Sequence, residues 1–339
     1  MLGAVTRRVD LPAASAAAAM TEILEGRATS GQIAAFCIAL RMKGETVEEM
    51  TGLLGAMFEH VTPVVVDDPG SLVDTCGTGG DRSCTINAST LAAMVVAGAG
   101  ARVCKHGNRA QSSKCGSADL LEALGVAVDL GPVGVAACIA EAGMGFCFAP
   151  RFHPALRHAG PTRRELGVPT VFNFLGPLAN PAQVRRQSLG VSDPKMAVKM
   201  AGVLQARGAE RAFVVYGHDG LDEITTTTTS TVIEIREGEA RTYDIDPAAL
   251  GLTLADPVAL MGGDAATNAG MARGVLDGQR GPQRDFVLLN AAAGIVVAGL
   301  ADDLAAGLEA AAASIDEGRA ASVLERMVKV SAEHAAAPG

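Results

Sequence analysis

The sequence lacks most of the features that assign a chain to a membrane, a secretory route or a nucleic acid. No apolar run approaches the roughly 18 residues a helix needs to cross a bilayer. The alanine run 13–19 is short, its flank carries Arg7, Arg8 and Asp10, and no cleavage pattern follows, so it does not read as a secretory signal. Seven cysteines are present without a single CxxC pair. An odd number makes a poor disulfide framework, and the expectation is a reduced, cytoplasmic chain. Cys76, Cys84, Cys104 and Cys115 therefore read as small apolar side chains rather than metal ligands. Positive charge is in deficit, with 28 Lys and Arg against 37 Asp and Glu and a net charge of −9. That balance argues against nucleic acid or an anionic membrane surface as a partner. The two common nucleotide loops, GxxxxGK[ST] and GxGxxG, are also missing.

What is present is a globular composition, 49% hydrophobic over 339 residues. The length predicts one large and one small domain. Residues 1–66 show helical periodicity over about 14–25, 32–42 and from 46 onward, with Thr46-Val47-Glu48-Glu49 fitting a capping box. No strand signal occurs there, so a small α-helical domain is expected. Pro63 and Asp67-Asp68-Pro69-Gly70 mark a linker. Residues 70–335 alternate strands with helices, which predicts an α/β domain with a mostly parallel central sheet flanked by helices. The strand candidates are 72–76, 102–104, 126–130, 145–149 and 211–216, followed by a hairpin of 231–237 with 240–245. Thr225–Thr229 reads as a strand or strand edge. Helices are expected at about 90–98, 118–124, 132–142 and 195–206, and again at 264–277, 302–316 and 318–333. The proline-rich stretch 160–182 interrupts the alternation and reads as a return of the chain to the helical unit.

Three polar segments carry the chemistry. Gly77-Thr78-Gly79-Gly80-Asp81 follows a strand and precedes the polar helix start Asn87-Ala88-Ser89-Thr90. Glycines leave backbone N–H groups open, and a helix start adds more of them with a positive dipole end, so the pair suits a phosphate. Lys105-His106-Gly107-Asn108-Arg109-Ala110-Gln111-Ser112-Ser113 forms a second strand-to-helix connection, with Ser117 just beyond. Gly217-His218-Asp219-Gly220-Leu221-Asp222-Glu223 ends a third strand. Its adjacent carboxylates are either a Mg²⁺ site or a solvated acidic turn. Arg163 or Arg164 is either a fork for a carboxylate or half of a surface salt bridge. His106 and His153 are either acid–base groups or structural hydrogen-bonders.

Taken together, the segments resemble anthranilate phosphoribosyltransferases. The resemblance rests on GTGGD at 77–81, NxST at 87–90, KHGNRxxSSxxGSAD at 105–119, FAPxxHPA at 148–155, RxELG at 163–167, FNxLGPLxNP at 172–181 and GLDE at 220–223. Asn268 and the run 288–293 extend it. It implies a nucleoside phosphorylase/phosphoribosyltransferase-like fold, a smaller all-α domain, and a homodimer through the helical domain. It implies transfer of the phosphoribosyl group of phosphoribosyl pyrophosphate to the amine of anthranilate, with Mg²⁺ as cofactor. Donor contacts would then fall on Gly77, Gly80, Asp81, Thr85, Asn87, Ser89, Thr90, the 105–113 loop and Ser117. Metal would be held by Ser89, Asp222 and Glu223. Anthranilate would meet Gly77, Asn108 and Arg163, and Lys105, Asn108 and Arg163 are the catalytic candidates. Two positions depart from the common pattern: Arg82 follows GTGGD in place of glycine, and Pro169 precedes Thr170 in place of arginine. Two rival readings are a pyrimidine nucleoside phosphorylase, whose second loop begins Lys-His-Ser, and an inactive nucleic-acid-binding relative, which would need a basic surface.

Overall fold

The computed structural model describes all residues except 82, 111–113 and 336–339. Seven strands form one sheet: β1 (Leu72–Gly77), β2 (Arg102–Gly107), β3 (Met144–Phe148), β4 (Arg186–Gly190), β5 (Arg211–Gly217), β6 (Ser230–Arg236) and β7 (Glu239–Ile245). Their order is β3-β2-β1-β4-β5-β6-β7. The first five are parallel, and β6 and β7 close one side as an antiparallel hairpin. The chain moves one way from β1 to β2 and β3, then returns to the other side of β1 for β4 and β5. The order therefore reverses between β1 and β4, and a crevice opens beyond their C-terminal ends, where open α/β sheets bind ligands.

Side chains alternate between the two faces, as a strand requires. Phe213 and Val215 of β5 enter one core, with Val73, Val103 and the helices Ala88–Gly98 and Pro282–Ala298. Ala212 and Val214 enter the other, with Leu189 and the helix Pro194–Ala206. That second core continues into the N-terminal helices Ala13–Leu24, Ser30–Lys43 and Val47–Glu59. The capping box forms at the last of these: Glu49 N–H donates to Thr46 Oγ1 at 3.1 Å and Thr46 N–H to Glu49 Oε2 at 2.9 Å. Such a cap stabilises a helix by about 1 kcal/mol. Glu49 also accepts the Leu11 N–H at 2.9 Å and pairs with Lys43 at 2.8 Å, so its buried charge is satisfied.

The helix Val171–Leu178 places Phe172, Phe174 and Leu175 in that same core with Leu40, Leu53 and Leu54, and Leu166 of the helix Gly160–Leu166 packs against it. Several expectations are corrected. Residues 126–130 are an extended connection, not a strand: Val126 and Val128 are buried, but no strand pairs with them. The strand β4 takes the place that was open beside β1. Thr225–Thr229 lie in the loop before β6. The helix Pro282–Ala298 had no amphipathic period to announce it, because nearly all of it is buried. Among the described residues no helix is long and apolar enough to cross a membrane.

Candidate active site

The crevice at the β1–β4 switch point collects the first and third polar segments. After β1, Gly79 and Gly80 turn the chain with φ of +63° and +85°, a region that side chains disfavour. No atom lies within 4 Å of where a Cβ would stand on either, so their role is torsional. Gly77 is different. A Cβ there would lie 2.3 Å from Asp222 Oδ2. Asp222 fills that space and accepts the Gly79 N–H at 2.7 Å. Glu223 accepts the Ser89 N–H at 3.2 Å in the first turn of the helix Ala88–Gly98.

Asp222 is buried and Glu223 half-buried, which excludes a solvated turn. Burial, reinforced by the nearby charge of Asp81, pushes the Asp222 carboxyl up to about 6. Burial and then the Asp222 charge push Glu223 well above the ordinary range, against the pull of the Lys105 ammonium. Among the described residues, the one cation that acts on the pair is the Lys105 ammonium, on Glu223. Two adjacent carboxylates with a single ammonium nearby are under-compensated, and a hard divalent cation is the chemistry that would relieve them. No cluster of three or more His, Cys, Asp or Glu side chains placed to hold a metal occurs among the described residues. This protein would thus supply few ligands and leave the rest to phosphate oxygens and water, as Mg²⁺ sites often do.

Lys105 meets a different geometry from that of a cation facing the crevice. It is 1% exposed, and its Nζ donates to the Thr75 carbonyl and to Ser89 Oγ, the latter at 3.3 Å. Its charge lies behind Ser89 and close to Glu223 rather than in the open. Strand β2 passes directly beside β1, which turns the side chain inward. Arg109 is also engaged, with Asp119 at 3.0 Å and Glu122 at 2.6 Å, and its guanidinium lies over the Phe148 ring. Its guanidinium is thus committed to the helix Ser117–Ala123.

The Asp119 carboxylate closes the second loop by accepting the N–H groups of Ala110 and Gly116, each at 2.9 Å. Asn108 caps its own neighbour, with Oδ1 accepting the Arg109 N–H at 2.8 Å. Gly107 passes so near Phe146 that a Cβ would lie 2.7 Å from the ring and 3.1 Å from Ser117. Asn87 joins the two loops: its amide donates to the Cys115 carbonyl at 3.0 Å and accepts from Asn268 at 2.9 Å. Thr85 pairs with Met261 in an isolated antiparallel bridge. The Thr90 hydroxyl is buried with no hydrogen-bond partner among the described residues. Gln111, Ser112, Ser113 and Arg82 lie outside the described residues.

The remaining candidate residues lie in or against the segment 160–182. Arg163 is half-buried, its guanidinium stands 5.1 Å from the Phe172 ring centroid, and burial lowers its pKa. It makes no salt bridge among the described residues, so the surface-pair reading of it fails. Arg164 is exposed. His106 and His153 face each other with ring centroids 5.1 Å apart. Burial, then the neighbouring His153, holds His106 well below the usual imidazole value, and burial pulls His153 down to about 4. Both rings are neutral at pH 7 and lean on the backbone of Gly176 and Ala179, which fits structural hydrogen-bonders. Through Gly176, His106 ties the second loop to the helix that carries Phe172.

Sequence reasoning did not single out Asp74, Asn180 and Gln187. Asp74 is fully buried on β1 and accepts from Asn180 at 2.9 Å, Gln187 at 3.3 Å and the His106 N–H at 3.2 Å. Asn180 and Gln187 further bond the carbonyls of Cys104 and Pro177, each at 2.8 Å. This knot fastens the return segment to β1, β2 and β4. The asparagine of FNxLGPLxNP was its one visible sign.

Comparison with known proteins gives the same picture over nearly the whole chain. Residues 69–321 match the glycosyl transferase family, a/b domain, and residues 1–61 match its helical bundle domain. An anthranilate phosphoribosyltransferase of Roseiflexus castenholzii is 53% identical over 329 residues, covering 96% of each chain. The crystal structure of anthranilate phosphoribosyltransferase from Thermus thermophilus superposes with a TM-score of 0.92 at 41% identity, covering 98% of this chain and 99% of that one. The Saccharomyces cerevisiae enzyme in complex with PRPP and Mg superposes with a TM-score of 0.84 at 29% identity, covering 93% and 91%.

Proposed function

The chain belongs to the anthranilate phosphoribosyltransferase family, and from that premise we propose that it transfers the phosphoribosyl group of phosphoribosyl pyrophosphate to the amine of anthranilate. The products are N-(5-phosphoribosyl)anthranilate and pyrophosphate, a step of tryptophan biosynthesis, and the protein is a glycosyltransferase of the pentosyl class. One observation carries the reading. An adjacent acidic pair, with only the Lys105 ammonium behind it to offset two carboxylates, stands beneath a glycine loop at the sheet's switch point.

The donor's phosphates would lie against the glycine turn Gly77–Asp81 and the helix start Asn87–Thr90, where a tight backbone turn and the positive end of a helix dipole suit an anion. Asn108, the backbone of 105–110 and Ser117 form the second side of that cradle. Asp222 and Glu223, with the Ser89 hydroxyl, would hold Mg²⁺. When bound, magnesium neutralises charge on the departing pyrophosphate. Lys105 acts from behind, by orienting Ser89 and balancing Glu223. The anomeric carbon becomes oxocarbenium-like as the bond to pyrophosphate breaks. Anthranilate's uncharged amine needs placement more than a strong base, so the neutral His106 and His153 suffice as walls. Arg163 is the fork for the anthranilate carboxylate.

We also divide the chain into a helical unit of residues 1–66 with the return segment 160–182 and an α/β unit of residues 70–335, the acceptor meeting the donor where they join. Turnover is tested by mixing protein, Mg²⁺, phosphoribosyl pyrophosphate and anthranilate and following loss of anthranilate fluorescence. No loss at saturating donor would overturn the assignment, and phosphorolysis of uridine or thymidine instead would favour the phosphorylase reading. Arg163→Ala is expected to raise the anthranilate KM about 10- to 100-fold, the cost of a charge-assisted fork, and to leave the donor KM within about twofold. Equal shifts in both would remove Arg163 from the acceptor site.

The helical unit leaves Met42 71% exposed, and we propose that it pairs with a second copy there, giving a cytoplasmic homodimer. Sedimentation at twice the chain mass is expected, reverting toward the single mass in Met42→Glu. A wild-type protein that sediments as a single chain would refute it.

A further inference from the structure

Asp222 and Glu223 lie on a connection between β5 and β6, not on a strand. No sheet ladder fixes them, so other hydrogen bonds must place the carboxylates. One set is local. Asp219 accepts the Leu221 N–H at 3.2 Å and the hydroxyls of Thr225 and Thr227 at 2.6 and 2.5 Å. The carboxylates themselves accept the Gly79 and Ser89 N–H groups, and a further set comes from the far end of the chain. Asn290 Oδ1 accepts the Ile224 N–H at 3.0 Å, and Asn290 Nδ2 donates to the Ile224 carbonyl at 2.9 Å.

Ile224 directly follows Glu223, and both of its backbone polar groups are held by this one side chain. The amide orientation follows from the network, since Oδ1 faces an N–H and Nδ2 faces two carbonyls. The second carbonyl is that of Phe286, one turn back on the same helix, at 2.9 Å. The helix Pro282–Ala298 is buried along nearly its whole length, so the clamp is mounted on a rigid element. The task needs a donor and an acceptor on one short side chain, and the asparagine amide supplies both. Aspartate cannot donate, and leucine matches the size but neither donates nor accepts. Asn290 is 6% exposed and is not bonded to either carboxylate, so its influence reaches them only through the backbone.

We propose that Asn290 is a positioning residue for the metal-binding carboxylates, fixing the main chain at Ile224 and thereby where Asp222 and Glu223 stand. The inference rests on the reading that this pair holds Mg²⁺. Its loss therefore alters metal affinity and leaves acceptor binding alone.

The test uses the full chain as wild type, Asn290→Ala and Asn290→Leu. Mg²⁺ is titrated into the turnover assay at saturating substrates. In parallel, Mn²⁺ is titrated into protein holding phosphoribosyl pyrophosphate, with free Mn²⁺ read by its electron paramagnetic resonance signal. Both half-saturation points are expected to rise about tenfold or more, as when a group that orients a metal ligand is lost. The anthranilate KM is expected to stay within about twofold. Loss of folded protein alone would lower kcat and leave the half-saturation of the remaining molecules unchanged. A half-saturation within twofold of wild type in either variant overturns the proposal. The Mn²⁺ titration reads the clamp even if the wild type turns over no anthranilate, an outcome that would sink the reaction assignment instead.

Discussion

Gly190→Ala is expected to lower kcat/KM for the donor at least about a hundredfold, a loss of roughly 2.7 kcal/mol of transition-state stabilisation. A Cβ on Gly190 would lie 1.6 Å from the Asp222 carbonyl oxygen and 2.5 Å from its carbonyl carbon. Both are backbone atoms, so no rotamer change relieves the overlap and the acidic turn itself must move. Gly190 ends β4 and pairs with Gly77 across the ladder. The two glycines together make the bed on which Asp222 lies, because Gly77 also has no room for a Cβ beside Oδ2. Gly190 does not have a positive φ, so alanine is allowed by its torsions. The damage is a local displacement of the carboxylates, and small misplacements of reacting groups cost rate steeply. Steady-state kinetics with varied donor and varied Mg²⁺ check this. An alanine variant with wild-type kcat/KM would show that the turn does not depend on this bed.

Gly190 also marks the limit of what could be read before the structure was known. The motifs GTGGD, NxST and GLDE stood out because each concentrates unusual chemistry in a few adjacent residues. Strand β4 did not, since Arg186-Gln187-Ser188-Leu189-Gly190 has neither β-branched residues nor alternation. Its polarity becomes legible only with partners present: Gln187 bonds Asp74 and the Pro177 carbonyl, and Arg186 bonds the Ala298 carbonyl at 2.7 Å. The reverse error came from Val126-Ala127-Val128-Asp129-Leu130, which alternates as a strand should. Its valines simply pack inward from a connection between the helices Ser117–Ala123 and Pro132–Ala142. Thr225–Thr229 misled by propensity, because the hydroxyls of Thr225, Thr227 and Thr229 bond Asp219, His218 and one another in a loop. Lys105 was identified as important by its motif, but its direction depends on β1 lying beside β2, which pattern alone does not reveal. Asn290 and Asn268 act from about 66 and 181 residues away in sequence, and such partners leave no local trace.

The other large effect is expected from making the acidic pair neutral without changing its shape, in the double variant Asp222→Asn with Glu223→Gln. Metal-dependent turnover is expected to fall about a thousandfold, since the two charges that would hold the cation are gone while every neighbouring group remains. The amides keep an oxygen to accept the Gly79 and Ser89 N–H groups, so the turn and the helix start retain their bonds. Stability is expected to move the opposite way. The Asp222 carboxyl is raised from an ordinary value of 3.8 to about 6, and Glu223 is raised as well. A carboxyl raised on folding stabilises the native state while it is protonated. For Asp222 that contribution is complete below about pH 4 and is lost as pH climbs to about 6. At pH 7 without metal, Asp222 therefore ionises against the burial that disfavours its charge, while burial and the Asp222 charge hold Glu223 toward its neutral form. For Asp222 the penalty is up to about 3 kcal/mol. Neutral amides avoid it, and the double variant should melt several degrees higher than wild type at pH 7 in the absence of metal, with the difference shrinking toward pH 4. Differential scanning calorimetry across that range checks the sign. A variant that melts lower than wild type at pH 7 while also losing turnover would mean that the carboxylates build the fold. A variant that melts higher and turns over nothing would mean that the fold tolerates them for the sake of the cation.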